Sequence, residues 1–293
     1  MSKVPYYLRN VGPLTVAVTG ACGFIGSALT ESLTGAGHTV KPLSVRKDLP
    51  PDALAGCDAV VHLAGEPIAQ RWTDAAKAKI RDSRVEGTRR LVAAVQQHRP
   101  TVLVSSSGIN IYGDRGDDVL TENEPPATDF LGQVASDWEH EAMQAEQFGV
   151  RVAIIRTGMA LGPGGALQQM LLPFKLGVGG KLGSGDQWMS WIHRDDLIQL
   201  IEFLLVESTV RGAFNAVSPH PVTNAEFTKA LGAALHRPTI FPVPRFALQL
   251  LYGEMAKLLF DSVRAIPDAA TRAGFTFEHS DIFGALHEIL DRK

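Results

Sequence analysis

The chain has 293 residues, 45% of them apolar and 20% charged, with a formal net charge of −3. That balance fits one large globular domain or two packed ones, and it lacks the basic excess that nucleic-acid binding requires. Two cysteines, Cys22 and Cys57, exclude a disulfide framework and have no zinc-ligand spacing. The first thirteen residues lack the apolar core of a secretory signal, and no stretch nears the roughly 18 unbroken apolar residues of a membrane span. A cytoplasmic, enzyme-sized protein is expected.

The first half alternates short β-branched runs with longer helical patterns. Strands are expected at Leu14–Val18, Thr39–Val45, Ala59–Leu63, Val102–Ser105 and Val152–Thr157, and helices at Phe24–Thr34, Asp74–Gln97 and Phe130–Gln147. This alternation predicts a mostly parallel sheet with helices on both faces. Beyond Gly158 the chain turns glycine-rich, then offers a helix at Asp195–Val206, a strand at Ala213–Val217 and a helix at Asn224–Leu235. After the Pro-rich connector RPTIFPVPR the tail reads as helical, with pieces at Ala265–Ala273 and Asp281–Leu290. The expected division is residues 14–160, with a possible return of the chain within 190–220, and a smaller, interleaved region at 161–293 whose helical module starts near 244.

The firmest local signal is LTVAVTGACGFIGSALTESL, an apolar strand, glycines spaced GxxGxxG and an amphipathic helix. Gly20 permits a tight turn, Gly23 lets the backbone approach a pyrophosphate, and Gly26 lets helix and strand pack closely. The helix N-terminus presents unpaired N–H groups to the phosphates. An acid normally ends the second strand of such a unit and holds the ribose of NAD. Here the segment reads LSVRKD, so Ser44 and Arg46 stand where a 2′-phosphate can be bound, which points to NADP(H). The third strand ends HLAGEP, and Leu63, Ala64 and Gly65 offer a small apolar edge beside the cofactor. Cys22 lies inside the loop, next to the helix N-terminus.

Together TGACGFIG, VVHLAGEPI, SRVEGT, SSSGINIYGDRG and PFKLGVGGKLGSGDQWMSWIHRDDL resemble one family, the atypical extended short-chain dehydrogenase/reductases called epimerase-like. The resemblance runs from Val16 to about Leu290. It implies a Rossmann-type doubly wound parallel sheet (α/β) with a smaller, interleaved C-terminal substrate domain, and a possible homodimer. It places NADP(H) against Gly20, Gly23, Phe24, Ile25, Ser44, Leu63 and Ala64, and adds Arg84 of SRVEGT. Val45 departs from the Arg that such proteins often carry, and Asn110-Ile111 replaces a small residue and an aromatic.

Most members use a Tyr proton donor with Lys four residues later. None of the four tyrosines here has that partner, and no lysine occurs between Lys79 and Lys175. Spacing back from WEHEA puts Leu131 and Ala135 in the two positions. Ligands of open α/β sheets bind at the C-terminal strand ends. Ser105, Ser107 and Tyr112 after the fourth strand are therefore the candidates, Ser105 against the cofactor and Ser107 and Tyr112 for catalysis. Asp137 and His193 are more distant ones, His193 because it precedes Asp195, a natural helix cap.

Two readings follow: an NADP(H)-dependent oxidoreductase or epimerase using another acid, or an NADP(H)-binding sensor or scaffold without turnover. For the substrate side, Met170, Phe174, Trp188 and Trp191 suggest a partly apolar ligand, with Gln187, Ser190 and His193 as polar partners. Lys175 and Lys181 leave a nucleotide-sugar open. No metal site is expected, since the nine histidines form no HxxxH or His/Cys pattern. Neither nucleic acid nor membrane is expected as a partner.

Overall fold

The computed structural model describes residues 6–8 and 11–291. Its first half follows the expected alternation. Strand β1 (Thr15–Thr19) leads into α1 (Phe24–Gly35), then β2 (Thr39–Leu43), β3 (Ala59–His62), α2 (Asp74–His98) and β4 (Val102–Gly108). A short β5 (Val119–Leu120) precedes α3 (Phe130–Met143), β6 (Arg151–Thr157) and β7 (Met159–Leu161). Next come α4 (Gly165–Lys175), β8 (Trp188–Met189), β9 (Trp191–His193), α5 (Arg194–Val206) and β10 (Gly212–Ala216). The remainder is β11 (Val222–Thr223), α6 (Asn224–Ala234), α7 (Arg245–Tyr252), β12 (Arg264–Ala265), α8 (Asp268–Arg272) and α9 (Ile282–Asp291).

Six strands form one sheet in the order β10-β6-β4-β3-β1-β2, every pair parallel. Parallel strands covered on both faces must be apolar on both, and β3 (AVVH) is buried at all four positions. One face packs Leu29 and Leu33 of α1 against Leu197, Leu200 and Leu204 of α5. The other packs Leu91 and Val95 of α2 with Ala142 of α3 and Ala145 after it. The chain leaves the sheet after β6 and returns at β10. Strand order reverses at β1, whose neighbours are β2 and β3; this is the crevice where dinucleotides sit in such sheets.

Local chemistry sets the helix ends. Thr73 caps α2 through Ala76 N–H, Asp129 caps α3 through Gly132 N–H, and Thr223 with Glu226 forms a capping box on α6. The cap of α5 is His193, whose Nδ1 accepts from Asp195 N–H, so the expected cap at Asp195 moves two residues back. Strand β2 ends at Leu43 rather than Val45, because Val45 turns into the core and packs on Gly87 of α2. The helix expected to reach Gln147 ends at Met143 and continues as a 3-10 turn. The expected helical piece at Ala265–Ala273 is shorter: Arg264–Ala265 pair with β5, and Pro267 starts α8. Among the described residues no helix is long and apolar enough to cross a membrane.

Glu202 is fully buried between α5 and α1; Ser32 donates to one carboxyl oxygen, and the other forms no hydrogen bond among the described residues. Burial pushes this carboxyl from 4.5 up to about 7, against the pull of Ser32. The acid is therefore protonated in the fold at pH values where the unfolded chain has already ionised. Its contribution to stability is full at low pH and falls as pH rises from about 4.5 to about 7, by on the order of 3 kcal/mol. Glu202→Gln should raise the melting temperature at pH 8 and leave it nearly unchanged at pH 5. Equal effects at the two pH values would contradict the assignment.

Candidate functional site

The loop between β1 and α1 closes on itself through Gly23 N–H to Gly20 C=O at 2.9 Å. Gly20 has φ +73°, and a Cβ there would meet the Leu63–Ala64 peptide at 3.0 Å. That contact joins the ends of β1 and β3 across the reversal of strand order. Gly26 is tighter still, since its Cβ would lie 2.1 Å from Gly20 O. Gly23 is exposed and caps α1 with no side-chain bond, so the first N–H groups of the helix face outward beside it. Cys22 is exposed and unpaired, and Phe24 and Ile25 are half-buried. The loop thus has the small residues, open backbone and helix dipole that a pyrophosphate needs.

At the end of β2, Ser44 and Arg46 are exposed, and Arg46 makes no ion pair among the described residues. Sequence reasoning missed Arg90 of α2, which donates to Val45 O at 3.2 Å and pairs with Asp48 at 3.3 Å. A second cation therefore stands beside Arg46. Arg84 does not form the surface pair with Glu86 that its position on a helix allows. Glu86 pairs with Arg89, while Arg84 turns inward, donating to Glu66 O and Ile80 O and lying over the Trp138 ring at 5.1 Å. Burial lowers its pKa to about 10. Gly65 lets it in, because a Cβ there would lie 3.2 Å from the guanidinium carbon.

Behind these residues His62 is fully buried. Its Nδ1 meets Thr19 Oγ1 at 2.6 Å and its Nε2 meets Thr88 Oγ1 at 2.9 Å. Burial, with Arg84 adding to it, holds the ring at about 4, so it is neutral. Leu63 N–H and Ala64 N–H also approach Thr19 Oγ1 at 3.2 Å. The network fixes the end of β3 against the end of β1.

A cavity of about 410 Å³ opens at the C-terminal ends of β3 and β4. Leu63, Gly65, Arg84 and Ser107 border it on one side; Leu131, Val134, Ala135 and Trp138 of α3 form the other. Leu131 and Ala135, the residues that spacing put at the Tyr and Lys positions, are part of an apolar wall. Ser107 reaches the cavity and donates to Glu139 at 2.6 Å. Glu139, a residue the sequence did not point to, is held by two bonds from Arg156 at 2.9 and 2.8 Å. Burial opposes the Arg156 charge, but Glu139 and Tyr112 together raise its pKa.

Tyr112 is placed elsewhere than a proton donor requires. It is completely buried, donates to Asn215 Oδ1 at 2.7 Å, accepts from Arg156 at 2.9 Å, and borders neither cavity described here. Burial pushes the phenol up, with Arg156 pulling the other way. The 3-10 turn at Ile109–Tyr112 rotates it back into the core. Ser105 is likewise buried in the sheet beside His62, and its hydroxyl forms no hydrogen bond among the described residues. Asp137 is exposed and pairs with Arg81.

A second cavity, of about 390 Å³, adjoins the first and shares Ile68, Asn110, Thr157 and Gly158 with it. Met170, Phe174 and Trp188 line it as expected, joined by Met159, Met189 and Met255. Trp191 does not, being core, with its indole N–H on His220 O. Of the expected polar partners, Gln187 is spent on Leu182 O and Leu259 O, and the Ser190 hydroxyl on Val263 and Ala265. Lys175 and Lys181 are exposed and do not line the cavity.

His193 points away from both cavities, into a cluster that no local pattern announced. It stacks on His279 at 3.9 Å, and Glu288 of α9 approaches both rings, at 3.2 and 3.0 Å. Asp196 accepts from the backbone of Glu278 and His279. Because His193 Nδ1 accepts from Asp195 N–H, its ring proton sits on Nε2 and faces Glu288. The ligand atoms of His193, His279 and Glu288 lie within 4.8 Å of one another, a polar cluster of two rings and one carboxylate. It ties the C-terminal segment to the start of α5.

Residues 16–216 match the NAD dependent epimerase/dehydratase family, and residues 243–289 match a domain of unknown function, DUF1731. An epimerase family protein of Mycobacterium bovis is 42% identical over 92% of this chain and 96% of its own length. The crystal structure of human epimerase family protein SDR39U1 with NADPH superimposes with a TM-score of 0.88 at 35% identity, covering 96% of this chain and 100% of that one. A nucleoside-diphosphate sugar epimerase from Corynebacterium glutamicum gives 0.79 at 38% identity, over 95% of this chain and 58% of the other.

Proposed function

The chain belongs to the NAD-dependent epimerase/dehydratase family, and on that premise we propose that it is an NADP(H)-dependent oxidoreductase or epimerase acting on a small molecule in the cytoplasm. The observation that carries this reading is the loop at Gly20, Gly23 and Gly26 together with an exposed Arg46, backed by Arg90, at the end of β2. The loop and the α1 N-terminus would hold the pyrophosphate, and Ser44 and Arg46 the 2′-phosphate. The ends of β1 and β3, with Leu63, Ala64 and Gly65, would flank the cofactor. Bound there, the dinucleotide supplies hydride transfer. Arg84 gives the cavity a fixed positive charge, and Ser107 presents its hydroxyl oxygen while donating to Glu139. A hydroxyl so held accepts a hydrogen bond from a substrate alcohol and polarises a carbonyl once its own proton is turned round. The region 161–293 supplies the substrate side, for a ligand that is partly apolar or a nucleotide-sugar.

Fluorescence titration tests the cofactor assignment. Arg46→Ala should weaken NADPH about tenfold or more and leave NADH nearly unaffected, since a charge-assisted bond is worth ~1.5–3 kcal/mol. Equal affinities for NADPH and NADH in the unmodified protein would remove the reading. A second reading, a cofactor-binding sensor without turnover, is favoured by the apolar wall of Leu131 and Ala135. NADPH oxidation across carbonyls, quinones and sugar nucleotides separates the two: turnover supports the enzyme, and tight binding with no turnover supports the sensor.

A further inference from the structure

The cavity beyond the reacting end has an unusual lining for a family whose relatives include nucleotide-sugar enzymes. Four methionines, Met159, Met170, Met189 and Met255, converge on it with Phe174, Phe227 and Trp188. Among the described residues its lining contains one ionisable side chain, Asp261, and that one is acidic. No lysine or arginine contributes to the wall. Three cations near its rim are occupied: Lys257 bridges Asp129 and Asp261 at 2.9 Å, Arg264 lies over the Trp188 ring at 4.1 Å, and Arg245 over Phe260 at 5.0 Å. A diphosphate entering this space would lose its water, find no positive partner and meet a carboxylate. An apolar body would be met by polarizable thioethers and aromatic faces that adjust to its shape.

The polar groups at the seam with the first cavity are few and of another kind. Thr157 borders both cavities, and its buried hydroxyl has no hydrogen-bond partner among the described residues. Asn110 stands beside it on the same seam. That hydroxyl has almost no accessible surface, so the side chain open to a ligand at the seam is the amide of Asn110.

We propose that the substrate is an uncharged, largely apolar carbonyl or hydroxyl compound, its body among the methionines and its single oxygen at Asn110, and not a nucleotide-sugar. This rests on the assignment of the cavity to the substrate side of an NADP(H) enzyme. Lining and partner geometry, not family, select the class.

The test compares ligands on the intact protein by saturation-transfer NMR titration, with and without NADP⁺. The probes are 2-acetylnaphthalene, 2-ethylnaphthalene and UDP-glucose. The ketone should bind saturably, and UDP-glucose should show no binding at tenfold higher concentration. Met170→Trp, which fills the cavity, should weaken the ketone at least tenfold while NADPH titrates as before. Asn110→Leu should weaken the ketone several-fold and leave 2-ethylnaphthalene unchanged. UDP-glucose binding as tightly as the ketone overturns the proposal, as does absence of saturable ketone binding in a protein that binds NADPH normally. Failure of NADPH itself would overturn the cofactor assignment instead, and the ketone titration without cofactor would still decide the cavity's preference.

Discussion

Gly26→Ala is expected to abolish dinucleotide binding and to lower the melting temperature by several degrees. The added Cβ would lie 2.1 Å from Gly20 O, 2.8 Å from Gly20 C and 2.9 Å from Ala21 Cα. All three are backbone atoms of the loop, so no side chain can swing aside. Helix α1 must move away from the strand, yet its Leu29 and Leu33 are fully buried against the sheet. Overpacking of this kind costs ~1–3 kcal/mol or more. The displaced loop also misplaces the outward-facing N–H groups at the start of α1, so NADPH affinity should fall by at least a hundredfold. Gly23→Ala is the control. Its Cβ would meet only Gly20 O, at 3.2 Å, and the residue is exposed. That variant should keep its melting temperature and still lose affinity, because the Cβ stands where the pyrophosphate approaches. Thermal melts with parallel NADPH titrations check both. A Gly26→Ala protein with normal stability and binding would mean that the loop does not close on the helix as described.

The contrast between these two glycines shows what the sequence made legible. Spacing assigned a task to each, and the alternation of strand and helix placed the loop at the end of a buried strand. Both are local patterns, as are the capping box at Thr223 and the parallel strands with apolar faces. What local pattern cannot reveal is which way a side chain turns once distant segments meet. Arg84, expected from its motif to reach the cofactor, turns inward because Gly65, from another strand end, leaves room for it. Glu139 reads as one more acid on a helix; only the register of β4 beside β6 brings Ser107 and Arg156 to it. His193, His279 and Glu288 come from three separate segments, so no spacing links them. Helix α4 was hidden by its glycine flanks and by Pro173 inside it.

Arg156→Met should be the most destabilising single change around the site, by about 3–5 kcal/mol, because it leaves partners behind. Arg156 and Glu139 are both nearly buried, at 10% and 13% side-chain exposure, so the abandoned carboxylate would have little water to turn to. The same arginine donates to the Tyr112 hydroxyl and to Glu122 O, which would lose a donor together. Tyr112 and Ser107 thus sit at the two ends of one network, one in the core and one in the cavity, and this separates their roles. Tyr112→Phe removes a bond to Asn215 and one from Arg156; it should cost about 1–2 kcal/mol of stability and leave turnover on an accepted substrate nearly intact. Ser107→Ala should do the reverse, with stability changed little and turnover reduced by ~10²-fold or more if the hydroxyl acts on the reacting oxygen. Denaturant melts and steady-state rates on the same preparations read both quantities. Loss of turnover in Tyr112→Phe at unchanged stability would place the phenol back at the reacting end. The opposite pairing, a stable but inactive Ser107→Ala, leaves Glu139 as the group that holds the working hydroxyl, and Arg156 as the residue that holds Glu139.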